Sequence, residues 1–307
     1  MTAFTLGPHI SDLPAWLKAH EGRTGSGDAY IVATKKPLFG RTVWNLYLRA
    51  LGLEEKEDLS GVERIDLGND LEPWVASRFT KETRTIVFPC GQILLRDVGD
   101  APLCATPDYW LLDNGKPTGI VECKTAGTLA GWEEGVPEHY WAQVQHQLAV
   151  TDLKKAAIAI LAGGIGGMKF RYQWIDRDDE WIDKTLIPAV SDFWRRVREK
   201  DPYPVDGSDD CGRSLGKLYP RVDKTLTVSL DGSFTDLDQR LQEIAGQMKG
   251  LAWEETEAKN RIKAAMGTAE FAVLPNAVRY SWKEQTRKET IVKASTFRVL
   301  RRSESDA

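Results

Sequence analysis

Asp108, Glu122 and Lys124 lie in the stretch CATPDYWLLDNGKPTGIVECKTAG, residues 104–127, among residues that otherwise read as buried strand. Side chains alternate along a strand, so Glu122 and Lys124 project from one face together with Ile120, while Val121 and Cys123 face the other side. Asp108 opens the preceding apolar run, PDYWLLD, and a hairpin turning through DNGKPTG brings it alongside. Two carboxylates and an ammonium then meet in apolar surroundings, where unpaired charges are costly. Either the charges satisfy one another as a structural salt bridge, or they bind a cation. Magnesium or manganese takes one or two carboxylates with waters and substrate phosphates. The lysine is then available to orient a nucleophile, assist its deprotonation or neutralise a scissile phosphate. Glu-x-Lys alone says little, because Glu54/Lys56 and Glu257/Lys259 repeat it in polar helical stretches. What singles out Glu122/Lys124 is the apolar strand and a Pro-Asp on its neighbour.

The elements that position these groups follow from periodicity. SDLPAWLKAH and GRTVWNLYLRALGL read as helices, the second with Val43, Leu46, Tyr47 and Leu51 on one face, separated by the Gly-rich turn EGRTGSGDAY. DLGNDLEPWVASRFTKET aligns Leu67, Leu71, Trp74, Val75 and Phe79 at helical period, with Glu72 beside the stripe. TRTIVFP, QILLR, TPDYWLLD and GIVECKT are strand-like and punctuated by Gly, Pro, Asn and Asp. PEHYWAQVQHQLAVTD then reads as a helix opened by Pro137. KAAIAILA and MKFRYQWI follow as strands around a GGIGG turn, and DDEWIDKTLIPAVSDFWRRVREK is a helix despite Pro188. The order describes a mixed α/β domain over 1–206. A linker rich in Pro, Gly and Asp is expected over 207–224, and an extension over 225–307. There Leu237, Leu241, Ile244, Met248, Leu251, Ala258 and Ile262 predict a long helix, packed or coiled, before the strand-like EFAVLPNAVRYSWKE.

Composition narrows the class. A chain of 307 residues, 42% hydrophobic, builds an ordinary globular core, and no apolar run is long enough to span a membrane. The N-terminus lacks a secretory pattern, so a cytoplasmic location is expected. Cys90, Cys104, Cys123 and Cys211 show neither zinc spacing nor a disulfide framework. A net charge of -4 gives no global footprint for nucleic acid, so DNA contact must be local. The best basic candidate is residues 279–302, where eight Lys/Arg oppose two Glu; a solvated face fits equally well.

Four motifs in order carry a family resemblance over residues 20–205. ATPDYWLLD with GIVECKT matches the PD-(D/E)XK nuclease signature. YWAQVQHQLAV is similar to the Tyr-x-x-Gln-x-Gln helix of the lambda-exonuclease-like, YqaJ-type viral recombinases, and LGNDLEPWVASRF to that family's Gly-x-x-x-Glu helix. The chain therefore resembles this family. The resemblance implies a restriction-endonuclease-like core, a central mixed sheet flanked by helices, followed by the C-terminal extension. It implies that Asp108 and Glu122 hold the metal with the main-chain carbonyl of Cys123 and with Glu72, that Lys124 is the catalytic lysine, and that Gln143 positions water or phosphate. Tyr140 and Gln147, at helical spacing from Gln143, are expected to reach DNA. Thr106 stands near the expected 5′ phosphate, and Arg23 and Ser26 match an N-terminal DNA-contacting motif, although Ser26 and Gly27 are transposed here. Asp97 reads as a loop carboxylate near the site.

The implied activity is a Mg²⁺-dependent exonuclease, with Mn²⁺ as a substitute and two ions. It would resect linear double-stranded DNA from 5′ ends in a bacterial host cell and leave 3′ tails. A single-strand annealing protein and a homo-oligomeric ring are the implied partners. The arginine that relatives carry shortly after the lysine is missing from TAGTLAGWEEG, which leaves 5′-phosphate preference open. An endonuclease of the same superfamily and a non-catalytic DNA-binding or scaffolding module are the alternatives. AGGIGGMK is a hairpin turn without the Gly-Lys-Ser/Thr ending of a phosphate loop, and His146 reads as packing.

Overall fold

The computed structural model describes residues 4–55, 61–163 and 167–286. They belong to two compact units, residues 1–220 and 221–307. In the first unit the chain runs β1 (Thr5–His9), α1 (Leu13–Ala19), β2 (Thr24–Gly25), α2 (Ala29–Thr34), α3 (Val43–Ala50), α4 (Glu63–Thr83), β3 (Ile86–Pro89), β4 (Gln92–Val98), β5 (Ala101–Ala105), β6 (Tyr109–Asp113), β7 (Lys116–Ala126) and α5 (Glu138–Thr151). It continues through β8 (Lys155–Ala162), β9 (Lys169–Asp176), α6 (Asp179–Trp181), α7 (Ile187–Glu199) and α8 (Asp209–Leu218). The second unit holds α9 (Ser233–Met266) and a hairpin of β10 (Phe271–Val273) and β11 (Arg279–Ser281).

A five-stranded mixed sheet of order β3-β6-β7-β8-β9 forms the centre, with β7 and β8 parallel and the other pairs antiparallel. This is the central mixed sheet that the sequence implies. Helix α5 is the crossover between the parallel strands, as parallel pairing requires. The β6–β7 hairpin turns tightly through Asn114 (φ 48°) and Gly115 (φ 75°), a left-handed pair that Asn-Gly adopts readily, so β7 begins earlier than the expected DNGKPTG turn allows. Strand alternation sorts the two faces. Val121 and Cys123 pack with Val75 and Phe79 of α4, whereas Ile120 packs with Val144 and Leu148 of α5. Gly119 lets β7 approach β8, since a Cβ there would lie 2.5 Å from the Lys155 carbonyl oxygen.

A second sheet of order β1-β4-β5-β2 packs with α2, α3 and α7 around Trp44, Tyr47, Leu94, Leu103, Val190 and Phe193. The residues of β1 are too weakly alternating to signal a strand, and the edge of β4 decides their conformation. Between α6 and α7 the chain forms a π-helical segment, Ile182–Leu186, in which the Ile187 N–H donates to the Ile182 carbonyl. This wider turn carries the chain past Pro188, which has no N–H to give.

Three expectations are corrected. Residues 207–224 do not form a plain linker, because α8 packs on α3 and buries Cys211 and Ser214; the polar stretch is an amphipathic helix capped by Ser208. Leu67 and Trp74 are exposed rather than part of the α4 core stripe. The segment EFAVLPNAVRYSWKE is a hairpin, not one strand. The long helix forms as expected, with Leu237, Leu241, Met248 and Leu251 exposed. Most of the basic stretch 279–302, and the middle of the GGIGG turn, lie outside the described residues.

Candidate active site

The C-terminal end of β7, beside the parallel β7–β8 pair, opens into a cleft of about 520 Å³ lined by residues that include Arg64, Glu72, Asp108, Glu122, Lys124 and Tyr140. Glu122 is buried at 3% exposure. Its Oε1 accepts from Lys124 Nζ at 2.7 Å and from Gln143 Nε2 at 2.5 Å, and its Oε2 accepts from Gln147 Nε2 at 2.7 Å. Both glutamines come from α5, one turn apart, so the helix supplies two fixed donors to one carboxylate. Asp108 precedes β6, and its Oδ2 accepts from the Cys123 backbone N–H at 2.7 Å. That bond ties the aspartate to the strand position between Glu122 and Lys124.

Glu72 arrives from the opposite face of the sheet. On α4, Arg64, Gly68 and Glu72 are each one turn apart, and Gly68 lies close to Thr125, where an added Cβ would stand 3.3 Å from its hydroxyl. The missing side chain lets the helix sit against β7 and carries Glu72 to the hydroxyl of Tyr109, with which it hydrogen-bonds. Tyr109, Arg64 and Phe39 were not singled out in the sequence. The i, i+4, i+8 spacing of Arg64, Gly68 and Glu72 could have signalled the arginine; the others carried no local signal.

The charges in the cleft act on one another. Burial, and then the charge of Glu122, hold the Asp108 carboxyl well above the usual carboxylate range, with Lys124 opposing. Burial and Glu122 also raise Glu72, against the pull of Lys124 and Tyr109. Burial alone would lower Lys124, but Glu122 and Asp108 outweigh it and the net shift is upward. Lys124 is thus a firm cation, 5.1 Å from the Tyr140 ring centroid. Lys124 and Arg64 do not balance three carboxylates, and a hard divalent cation with oxygen ligands fits the remainder. Among the described residues no group of three His, Cys, Asp or Glu side chains is poised to hold an ion unaided. Water, substrate phosphate or the Cys123 carbonyl would complete its coordination.

Other expected residues are placed differently. Gln147 is 1% exposed and spent on Glu122, so it does not face DNA; its polar helix face turns inward because a buried carboxylate awaits it. Arg23 pairs with Asp97 at 2.7 Å and also donates to the Leu103 carbonyl. Thr106 accepts from the Trp16 indole N–H at 3.2 Å. Ser26 lies in the short 3-10 turn before α2. These three residues do not line the cleft.

A mixed sheet with Glu and Lys on its central strand and Asp just before the neighbouring strand is the arrangement of the PD-(D/E)XK class. Residues 15–154 match the model of the YqaJ-like viral recombinase domain. Over 163 residues the chain is 36% identical to an uncharacterized protein, YqaJ, of Bacillus subtilis (strain 168), a match covering 51% of this chain and 50% of that protein. The chain therefore spans half the length of this curated relative. It is also similar to an alkaline exonuclease (LHK-Exo) from Laribacter hongkongensis, at 24% identity and a TM-score of 0.48 over 60% of this chain and 92% of the other. A phage related exonuclease from Haemophilus somnus 129PT matches at 11% identity and a TM-score of 0.42, over 59% of this chain and 96% of the other. Among the described residues no helix is long and apolar enough to cross a membrane.

Proposed function

We propose that this chain is a metal-dependent deoxyribonuclease that removes nucleotides from the 5′ ends of linear double-stranded DNA and leaves 3′ single-stranded tails. The observation that carries the reading is the convergence of Asp108, Glu122, Lys124 and Gln143 in one cleft, with Lys124 and Gln143 on the same Glu122 oxygen. Asp108 and Glu122, with Glu72 and the Cys123 carbonyl, would hold magnesium or manganese, one or two ions. The bound metal supplies Lewis-acid activation of water and of the phosphoryl oxygen. Lys124 neutralises charge growing on the phosphate, Gln143 orients the attacking water, and Gln147 holds Glu122 in place. The water oxygen bonds to phosphorus, the P–O bond to the leaving oxygen breaks, and the water proton ends on that oxygen. A single-strand annealing protein as partner and a ring of subunits belong to the same proposal, on the strength of the family motifs.

Incubation of linear and covalently closed circular duplex with and without Mg²⁺ tests it, with Lys124→Ala alongside. Degradation of the linear form alone, abolished in the variant, is expected. Nicking of the circle would favour an endonuclease, and intact linear DNA with Mg²⁺ would overturn the reading.

A further inference from the structure

Phe39 lies at the lip of the same cleft and is 74% exposed. It occupies the first central position of a two-residue turn, closed by paired backbone hydrogen bonds of 2.9 Å between Leu38 and Arg41. Phe39 has φ 50° and Gly40 φ 75°, so a bulky side chain sits in the left-handed region where glycine or asparagine is at ease. The turn is braced on both sides. Arg41 pairs with Asp28 at 2.7 Å and Lys36 with Glu138 at 3.5 Å. The Phe39 ring stands edge-on to His139, with centroids 5.4 Å apart at 86°; His139 lies 4.0 Å from Tyr140, whose ring is beside Lys124. An exposed aromatic in a disfavoured conformation, held by two ion pairs and joined ring by ring to the catalytic lysine, contributes little to the fold. Strain of this kind persists where a ligand uses it.

We infer that Phe39 is a stacking platform for an unpaired nucleobase next to the phosphate that Lys124 contacts. The inference rests on the nuclease reading for the identity of that phosphate. A base offers a flat π-face whatever its sequence, and the loss of such a stack costs roughly 1–3 kcal/mol per base, equivalent to about 5- to 150-fold in affinity. The platform is a binding feature, distinct from the acids and lysine that act on phosphorus.

The test compares Phe39→Asn and Phe39→Trp with the unmodified full chain, on a single-stranded oligonucleotide and on the same oligonucleotide made abasic near its end. Affinity is read in Ca²⁺, by the fluorescence of a 2-aminopurine base, and cleavage is read separately in Mg²⁺. Phe39→Asn should bind the normal oligonucleotide about 5- to 150-fold more weakly, match the unmodified chain on the abasic one, and melt no lower, because asparagine tolerates the turn. Phe39→Trp should keep binding and quench the 2-aminopurine. Equal binding of the normal oligonucleotide by Phe39→Asn, or an equal loss on the abasic one, would overturn the inference, as would a lowered melting temperature. Base-dependent binding with no cleavage by the unmodified chain would retain the platform and remove the nuclease reading.

Discussion

Replacing Gln147 with leucine separates two roles for one residue. By its spacing on the helix it belongs with residues that touch DNA, but in the fold it is buried and donates to Glu122 Oε2 at 2.7 Å. A hydrogen bond to a charged group contributes about 1.5–3 kcal/mol, and leaving its buried acceptor unsatisfied carries a comparable cost. Leucine matches the volume of glutamine closely, so little cavity or overpacking is added. The expected loss of stability is therefore about 1.5–3 kcal/mol, or roughly 3–12 °C in melting temperature for a unit of this size. Glu122 keeps Lys124 and Gln143 on Oε1 but loses its second anchor, so Mg²⁺-dependent cleavage should fall about 10- to 100-fold, the scale of losing a partner that orients a metal ligand. Affinity for DNA in the absence of cleavage should stay unchanged. Urea unfolding, turnover of a linear duplex and gel-shift affinity in Ca²⁺ measure the three quantities. Native stability and native turnover with weakened DNA affinity would refute the reasoning and return Gln147 to the DNA surface.

Three further outcomes follow from the same geometry. His146 is fully buried and burial lowers its pKa to about 4, so it is neutral in the fold while the unfolded chain takes up a proton below about 6.5. Its contribution is complete above that pH and is lost as pH falls towards 4, up to about 3 kcal/mol; urea midpoints between pH 7 and 4 should decline more steeply than in His146→Leu, and parallel profiles would contradict this. Gly119→Ala should destabilise the first unit by about 1–3 kcal/mol or more, because the added methyl meets the Lys155 carbonyl, and an unchanged urea midpoint would argue that β7 and β8 can separate freely. A chain ending at residue 220 should be more stable than one ending at 206 by about 3 kcal/mol or more, since α8 buries Cys211, Ser214 and parts of Leu215 and Leu218; equal urea midpoints would show α8 to be dispensable.

The convergence of Asp108, Glu122, Lys124 and Gln143 was largely legible in sequence because its logic is local. Period-two alternation places Glu122 and Lys124 on one face, Asn-Gly closes the hairpin that brings Asp108 alongside, and the helical spacing of Gln143 and Gln147 sets both amides on one stripe. None of these depends on a distant partner. Spacing could not say which way the stripe points, since the same polar face serves water or a buried carboxylate; only the packing of α5 over β7 turns Gln147 inward. Nor could it bring Glu72 to the cleft, which depends on Gly68 letting α4 lie against Thr125 on the far side of the sheet. The polar stretch 207–224 reads as linker because its few apolar residues are spread over helical turns, and the exposed edge of α3 supplies the surface that makes a helix of it. Phe39 illustrates the same limit: a Phe-Gly pair is unremarkable in a chain, and its meaning comes from the turn that holds it against His139 at the edge of the acid and lysine cluster.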